Sequence, residues 1–390
     1  MENNKKFQIG NVSTITIAHL IHDIYTSFLA PILPLIIEKL SISLSLAGLL
    51  SVIQRIPSLL NPFIGILAEK IKVRYFVIFA PAITTISMSL IGIAQGYTIL
   101  AILLFVSGIS STLFHVPSPV MIKRVSGPRL GKGMSFFMLG GEIARTIGPL
   151  IIVAAVEIWG LKGSLKLIPF GIIASAILFF RLKDIDIRKD FLKEKKKIGY
   201  VSTFVKFLPV FITLAGITFF RGAMKSALTL YLPVYLVDKG AELWFAGISL
   251  AIIQLTGALG TFYSGTISDK IGRRTTLLII TIISPILMWV FISLKGVSVI
   301  PILLVMGFFL VAPTSVMLAI IQELDTEHLA FVNGIFMTIN FTLSSLTLLL
   351  VGILSDKFGL DVTYKIAAGI ALISVFFAMR VPKRKKDSYS

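Results

Sequence analysis

The sequence predicts an all-α polytopic membrane protein, with twelve transmembrane helices in two six-helix bundles, and three observations carry the prediction. Of 390 residues, 56% are hydrophobic and 14% charged, with a mean hydropathy of +0.93. Soluble domains carry about 25% charged residues, so this chain has too few to coat a solvated surface. Apolar runs recur along the whole chain between charge-bearing breaks. Twelve spans of about 20 residues would use roughly 240 positions and leave about 150 for connections and tails. Finally, the 37 Lys and Arg, set against 19 Asp and Glu for a formal charge of +18, fall mostly on alternate connections.

In order, the spans are expected at about 11 to 37, 45 to 67, 75 to 94, 98 to 121, 131 to 157, 164 to 180, 207 to 236, 243 to 265, 275 to 294, 298 to 320, 329 to 353 and 362 to 380. The first is expected to remain in the membrane as a span. It contains His19, His22, Asp23, Pro31 and Pro34, and no small-residue cleavage pattern follows it. The longest connection divides the chain into an N-terminal bundle, 1 to 181, a cytoplasmic linker, 182 to 206, and a C-terminal bundle, 207 to 390. In the linker, Ile185, Ile187, Phe191 and Leu192 punctuate a run of charge, the pattern of an interfacial helix. An internal repeat supports the division: GILAEKIKVRY, from Gly65 to Tyr75, and GTISDKIGRRT, from Gly265 to Thr275, occupy matching places after the second and eighth spans. A third copy, GILSDKFG from Gly352, lacks the Arg-Arg tail.

With the N-terminus inside, 26 of the 37 bases lie on cytoplasmic segments. Nine of these run from Arg181 to Lys206, and seven bases (Lys39, Lys162, Lys166, Lys239, Lys295, Lys357 and Lys365) lie outside. Excess Lys and Arg mark the cytoplasmic side, so both termini are expected there, in a multi-pass protein of the inner or plasma membrane. The charge is therefore topological. No soluble basic element remains to bind nucleic acid, and the expected partners are a small-molecule solute, protons and the lipid bilayer, with the chain acting as a monomer. Without cysteine, disulfides and thiolate chemistry are excluded. No GxxxxGK[ST] loop is present, so movement of a solute would draw on an ion or solute gradient. The chain is not expected to be an enzyme or to carry a cofactor.

The four remaining bases, Arg55, Arg145, Arg221 and Lys225, fall within spans, where charge is costly unless it lines a cavity or finds a partner. With His115, on a fourth helix disturbed by Pro117 and Pro119, they are the expected substrate-cavity residues. His22 and Asp23 share one helical face with His19. Asp23 and His22 are candidates for proton coupling, the alternative being a carboxylate that pins helices together. Glu142 and Arg145, at i,i+3 in MLGGEIARTIGPL, read either as an internal ion pair or as a proton acceptor that controls the availability of Arg145 to an anion. Gly140, Gly141, Gly148 and Pro149 favour close helix packing with a local kink. His19 and His22 alone lack the ligand count of a metal site, and none is expected. In the repeated loops, Glu69, Lys70 and Arg74, and Asp269, Arg273 and Arg274, are expected to hold one packing of helix ends closed.

The GxxxDKxGRR loop, the two six-helix halves and the central linker resemble the major facilitator superfamily. HLIHDIYTSFLAPILPLI from His19, and GISSTLFHVPSPVMIKRVSGPRLGKGMSFFMLGGEIARTIGPLI from Gly108, are similar to the fosmidomycin resistance transporter family. The resemblance implies the major facilitator fold, alternating access by two bundles, and antiport that exports a drug or metabolite against inward proton movement, a route to drug resistance. It also implies that Asp23 is the family's first-helix acid, His115 its fourth-helix histidine, and Gly140, Gly141, Gly148 and Pro149 its fifth-helix pattern.

Overall fold

The computed structural model describes residues 7–61, 74–182, 200–326 and 328–382. Among them, ten helices are long and apolar enough to cross a membrane. The expectation of twelve differs for two local reasons. The spans at 329 to 353 and 362 to 380 fall within one counted stretch, Phe331–Ala378, in which two helices meet at Gly359, whose φ of +79° and ψ of 160° are not helical. The span at 45 to 67 is described only to Asn61 and is counted as a shorter apolar helix, Leu44–Leu60. The loop residues Glu69 and Lys70, and most of the expected linker, lie outside the described residues. Residues 200 to 206, expected in the linker, are the first residues of the helix Tyr200–Thr229.

The helices sort into two compact units, Met1–Ile42 with Leu49–Lys195, and Ser43–Gly48 with Lys196–Ser390. In the first, α1 (Ile9–Thr26) and α2 (Leu29–Leu40) make one broken span. The break follows from Pro31, which has no N–H to donate to the carbonyl of Ser27 and would clash with it in a continuous helix. α3 (Leu44–Arg55) enters this unit at Leu49, its first residues through Gly48 being counted with the second, and α4 (Arg74–Leu90) and α5 (Tyr97–His115) follow. α5 stops at His115 for the same reason, ahead of Pro117 and Pro119, and α6 (Ser118–Ser126) resumes beyond. α7 (Leu130–Trp159) is helical on both sides of Pro149, and α8 (Ile168–Leu182) closes the unit. Its core gathers Val12, Ile15, Ile78, Phe114, Met121 and Phe137.

Lipid tails are as apolar as leucine, so close contact between helices depends on small residues. α7 meets α1 through three of them. A Cβ on Gly140 would lie 2.7 Å from the Thr16 carbonyl oxygen, one on Gly141 2.7 Å from the His19 ring, and one on Gly148 2.8 Å from the Ile24 carbonyl oxygen.

The second unit repeats the broken-helix device. α9 (Tyr200–Thr229) gives way to α10 (Leu232–Asp238) at Pro233. α11 (Leu243–Ile271) and α12 (Arg273–Ser293) follow, then α13 (Val299–Val311) stops before Pro313, which opens α14 (Pro313–Gln322). The long α15 (Leu329–Ala371) and short α16 (Ser374–Ala378) complete it. Phe211, Leu214, Ile217, Leu277, Ile321 and Phe336 form its core. The third repeat copy has a local use within this unit: the Asp356 carboxylate accepts from the backbone amides of Leu44 at 2.7 Å and Ser45 at 2.9 Å, capping a helix start.

Gly260 on α11 packs directly on the Phe308 carbonyl of α13, where an added methyl would overlap backbone that cannot rotate away. Gly260→Ala is expected to cost about 1–3 kcal/mol through overpacking, read as a lowered thermal midpoint in detergent. Gly265→Ala, with nothing within 4 Å of the new Cβ, is the matched control and should hold or slightly raise that midpoint, since alanine is the better helix former.

Candidate functional site

The proline breaks of α1 and α5 bring four polar side chains together inside the first unit. Asp23 lies in the last turn of α1, with His19 and His22 on the same face and His115 arriving at the end of α5. His19 Nε2 is 3.3 Å from Asp23 Oδ2, His115 Nε2 is 3.4 Å from Asp23 Oδ1, and His22 Nε2 is 4.0 Å from Oδ1. His19, His22 and Asp23 are buried, whereas the His115 side chain is 38% exposed and forms the open edge of the cluster.

What surrounds the rings determines which nitrogen carries hydrogen. His19 Nδ1 is 2.7 Å from the Phe137 carbonyl oxygen, and His115 Nδ1 is 2.9 Å from that of Ser111. A carbonyl only accepts, so each Nδ1 donates, and the neutral ring keeps its lone pair on Nε2. His22 Nδ1 is 3.0 Å from the Thr84 hydroxyl. That hydroxyl donates onward to Ser110 Oγ, and Ser110 donates to the Ala80 carbonyl, so His22 also spends its Nδ1 hydrogen outward. Its Nε2 is buried without a hydrogen-bond partner. With all three rings neutral, three imidazole lone pairs face one carboxylate; a proton gained at His19 or His115 Nε2 turns that nitrogen into a donor to Asp23. Aromatic packing holds the rings in place: His19 stacks on Phe137 with centroids 4.1 Å apart, and His22 on Phe114 at 4.7 Å. A cluster of acceptors in a low-dielectric interior calls for a cation.

Beside this centre, Arg145 Nη2 pairs with Glu142 Oε1, and Arg145 Nε reaches the Gly141 carbonyl at 3.4 Å. Both side chains of the pair remain partly open.

The other expected residues stand apart from the cluster. Arg55 is exposed where α3 passes into a 3-10 turn, Ile56–Leu60. In the second unit, Lys225 is exposed on α9, while Arg221 is buried, its Nη2 donating to Ser284 Oγ at 3.1 Å and to the Phe309 carbonyl at 3.0 Å. Arg273 bridges Asp269 at 2.5 Å and Glu323 at 2.7 Å, with Arg274 beside it on the first turn of α12. Glu323 was not foreseen, because nothing near it in sequence repeats. Arg74 starts α4 with its guanidinium 5.3 Å from the Tyr75 ring centroid. Sequence reasoning also left His19 out of the coupling set, although its i,i+4 spacing to Asp23 was a usable signal. Thr84 and Ser110 gave none.

The sequence signature of the Major Facilitator Superfamily matches residues 15–347. The chain is 24% identical over 385 residues to the fosmidomycin resistance protein of Escherichia coli (strain K12), covering 97% of this chain and 94% of that one. Among solved structures, it is similar to a bacterial homolog of the human lysosomal transporter Spinster, with a TM-score of 0.76 and 14% identity over 96% of this chain and 95% of that one. It is likewise similar to the D-xylose-proton symporter, with a TM-score of 0.72 and 15% identity over 96% and 98%.

Two outcomes follow from the geometry. Nitrogen NMR of ring-labelled protein is expected to report neutral His19 and His115 as the Nδ1–H tautomers; Nε2–H signals would contradict the assignment. Gly141→Ala places a Cβ 2.9 Å from His19 Nε2 and is expected to destabilise the protein by about 1–3 kcal/mol, measured by thermal unfolding.

Proposed function

From a chain that belongs to the major facilitator superfamily, a multi-pass membrane protein and not an enzyme, we infer a secondary active transporter that exchanges protons for a small drug-like solute by alternating access. Twelve helices in two bundles, cytoplasmic termini and a monomeric working unit belong to the same reading. The observation that carries it is the convergence of the Nε2 atoms of His19, His22 and His115 on Asp23. Such a centre is neutral to its surroundings only when a cation is loaded, and in a membrane maintained with a proton gradient the available cation is the proton. A solute that presents N–H or O–H donors at the open edge, beside His115, would occupy the same lone pairs. Proton and solute then exclude one another, which is the condition for exchange in opposite directions. The full-length likeness to a protein named for fosmidomycin resistance supports export as the direction.

The Glu142–Arg145 pair favours a second reading, with the opposite sign. A proton on Glu142 would release the Arg145 fork to an anion, so proton and anion would bind together and cross together, inward under an inward gradient. A proton-independent facilitator of organic anions is the limiting case, in which both acids only stabilise the bundle.

Purified protein in liposomes, with internal pH recorded alongside flux across a solute panel, separates the readings. Exchange predicts that an inward proton gradient drives solute out and that Asp23→Asn reduces coupled movement to the level of empty vesicles at matched protein amounts. Undiminished coupling in that variant would remove Asp23 from the mechanism. Under the second reading, Glu142→Gln uncouples uptake and Arg145→Gln weakens binding of anionic solutes; unchanged anion affinity in Arg145→Gln sinks it.

A further inference from the structure

The geometry of the Asp23 centre points to a binding site for a single divalent transition cation of the zinc class, held by His19 Nε2, His115 Nε2 and the Asp23 carboxylate, with His22 Nε2 at the fourth side. The inference rests on the arrangement of ligand atoms and not on the transport reading.

Four observations support it. One nitrogen from each of His19 and His115 and one Asp23 oxygen lie within 4.8 Å of one another. The two His–Asp separations, 3.3 and 3.4 Å, are long for charge-assisted hydrogen bonds, which run about 2.7–2.9 Å. Each is close instead to the roughly 3.3–3.4 Å edge of a tetrahedron of ligands around a metal with bonds of about 2.0–2.1 Å, His19 facing Oδ2 and His115 Oδ1, so the two edges fall on the two oxygens of one carboxylate. Second, both Nδ1–H groups donate to backbone carbonyls, those of Phe137 and Ser111. This outer contact fixes the tautomer of metal-binding histidines and turns Nε2 toward the ion. Third, His22 Nε2 is fully buried, lacks a hydrogen-bond partner and lies on the same carboxylate, a donor atom in reserve. Fourth, Gly141 packs directly on the ligand atoms: a Cβ there would lie 2.9 Å from His19 Nε2 and 3.4 Å from Asp23 Oδ2, so the absence of a side chain lets α7 close against the cluster.

The donor set selects the ion. Imidazole with a single carboxylate suits Zn2+, Co2+ and Ni2+, whereas Mg2+ and Ca2+ take oxygen-rich sets. The sequence alone argued against a metal because His19 and His22 were two ligands at most; the end of α5 supplies the third.

The test uses the full chain, purified in detergent with any affinity tag removed, and Co2+ as the probe. Tetrahedral nitrogen and oxygen coordination gives visible d–d absorption, and with no cysteine in the chain no thiolate band accompanies it. Titration is expected to saturate at about one ion per chain, with Zn2+ displacing the Co2+ signal. His19→Gln and His115→Gln should each weaken binding by more than the roughly 10- to 100-fold that outer-shell changes cost metal sites. His328→Gln, which changes a histidine outside the cluster, should bind as the parent does. Elution as a single species checks that each variant is folded. Should His19→Gln misfold, His115→Gln carries the test, since its ring is at the open edge. Absence of d–d bands, Mg2+ displacing Co2+ as readily as Zn2+ does, or binding that survives in both cluster variants would overturn the assignment and leave the centre to protons. Because binding is read without transport, lost exchange activity with retained Co2+ binding would count against the transport reading alone.

Discussion

Asp23 is a buried acceptor ringed by acceptors, and the organisation of the first unit follows from that constraint. A carboxylate away from water is tolerated only where positive charge or donors reach it. Here each neighbouring histidine has its Nδ1 hydrogen directed outward, to Phe137, to Ser111 or through Thr84 and Ser110 to Ala80. With the rings neutral, the centre consequently has electron pairs to offer and no fixed donor of its own. That combination makes it a place where a mobile cation binds, in contrast to a permanent ion pair such as Arg273 with Asp269 and Glu323.

The same prolines that interrupt the helices build the site. Pro31 ends α1 just past Asp23, and Pro117 and Pro119 end α5 at His115, so two helix termini meet where continuous helices would have passed. The three α7 glycines then bring α7 against α1 closely enough for Gly141 to touch the His19 ring. In the second unit Pro233 and Pro313 produce equivalent breaks, yet among the described residues the buried charged group there is Arg221, held by a hydroxyl and a carbonyl. The repeat therefore preserves the scaffold of broken helices while the charge it encloses changes sign.

Much of this was legible in the chain before folding. Apolar runs mark the spans, since hydrocarbon tolerates little else over about 20 residues, and Asp23 stands out because an acid in such a run is rare. Two kinds of feature were not legible. The exact place where one helix gives way to the next, at Gly359 with φ +79° and ψ 160°, is a matter of backbone geometry that composition does not record. The pairing of Arg273 with Glu323 was equally hidden, because it joins residues on different helices.

By itself the sequence determined a membrane-embedded helical protein with repeated halves and a small set of ionisable groups at membrane depth; hydropathy and charge are properties of residues and need no fold to be counted. Only the tertiary structure decided that His115 joins His19 and Asp23, that Arg55 does not, and that every Nδ1 hydrogen is spent elsewhere. Those are properties of distances between helices and of which carbonyl lies behind each ring. Such distances are set by close packing at Gly140, Gly141 and Gly148, and a one-dimensional pattern does not contain them.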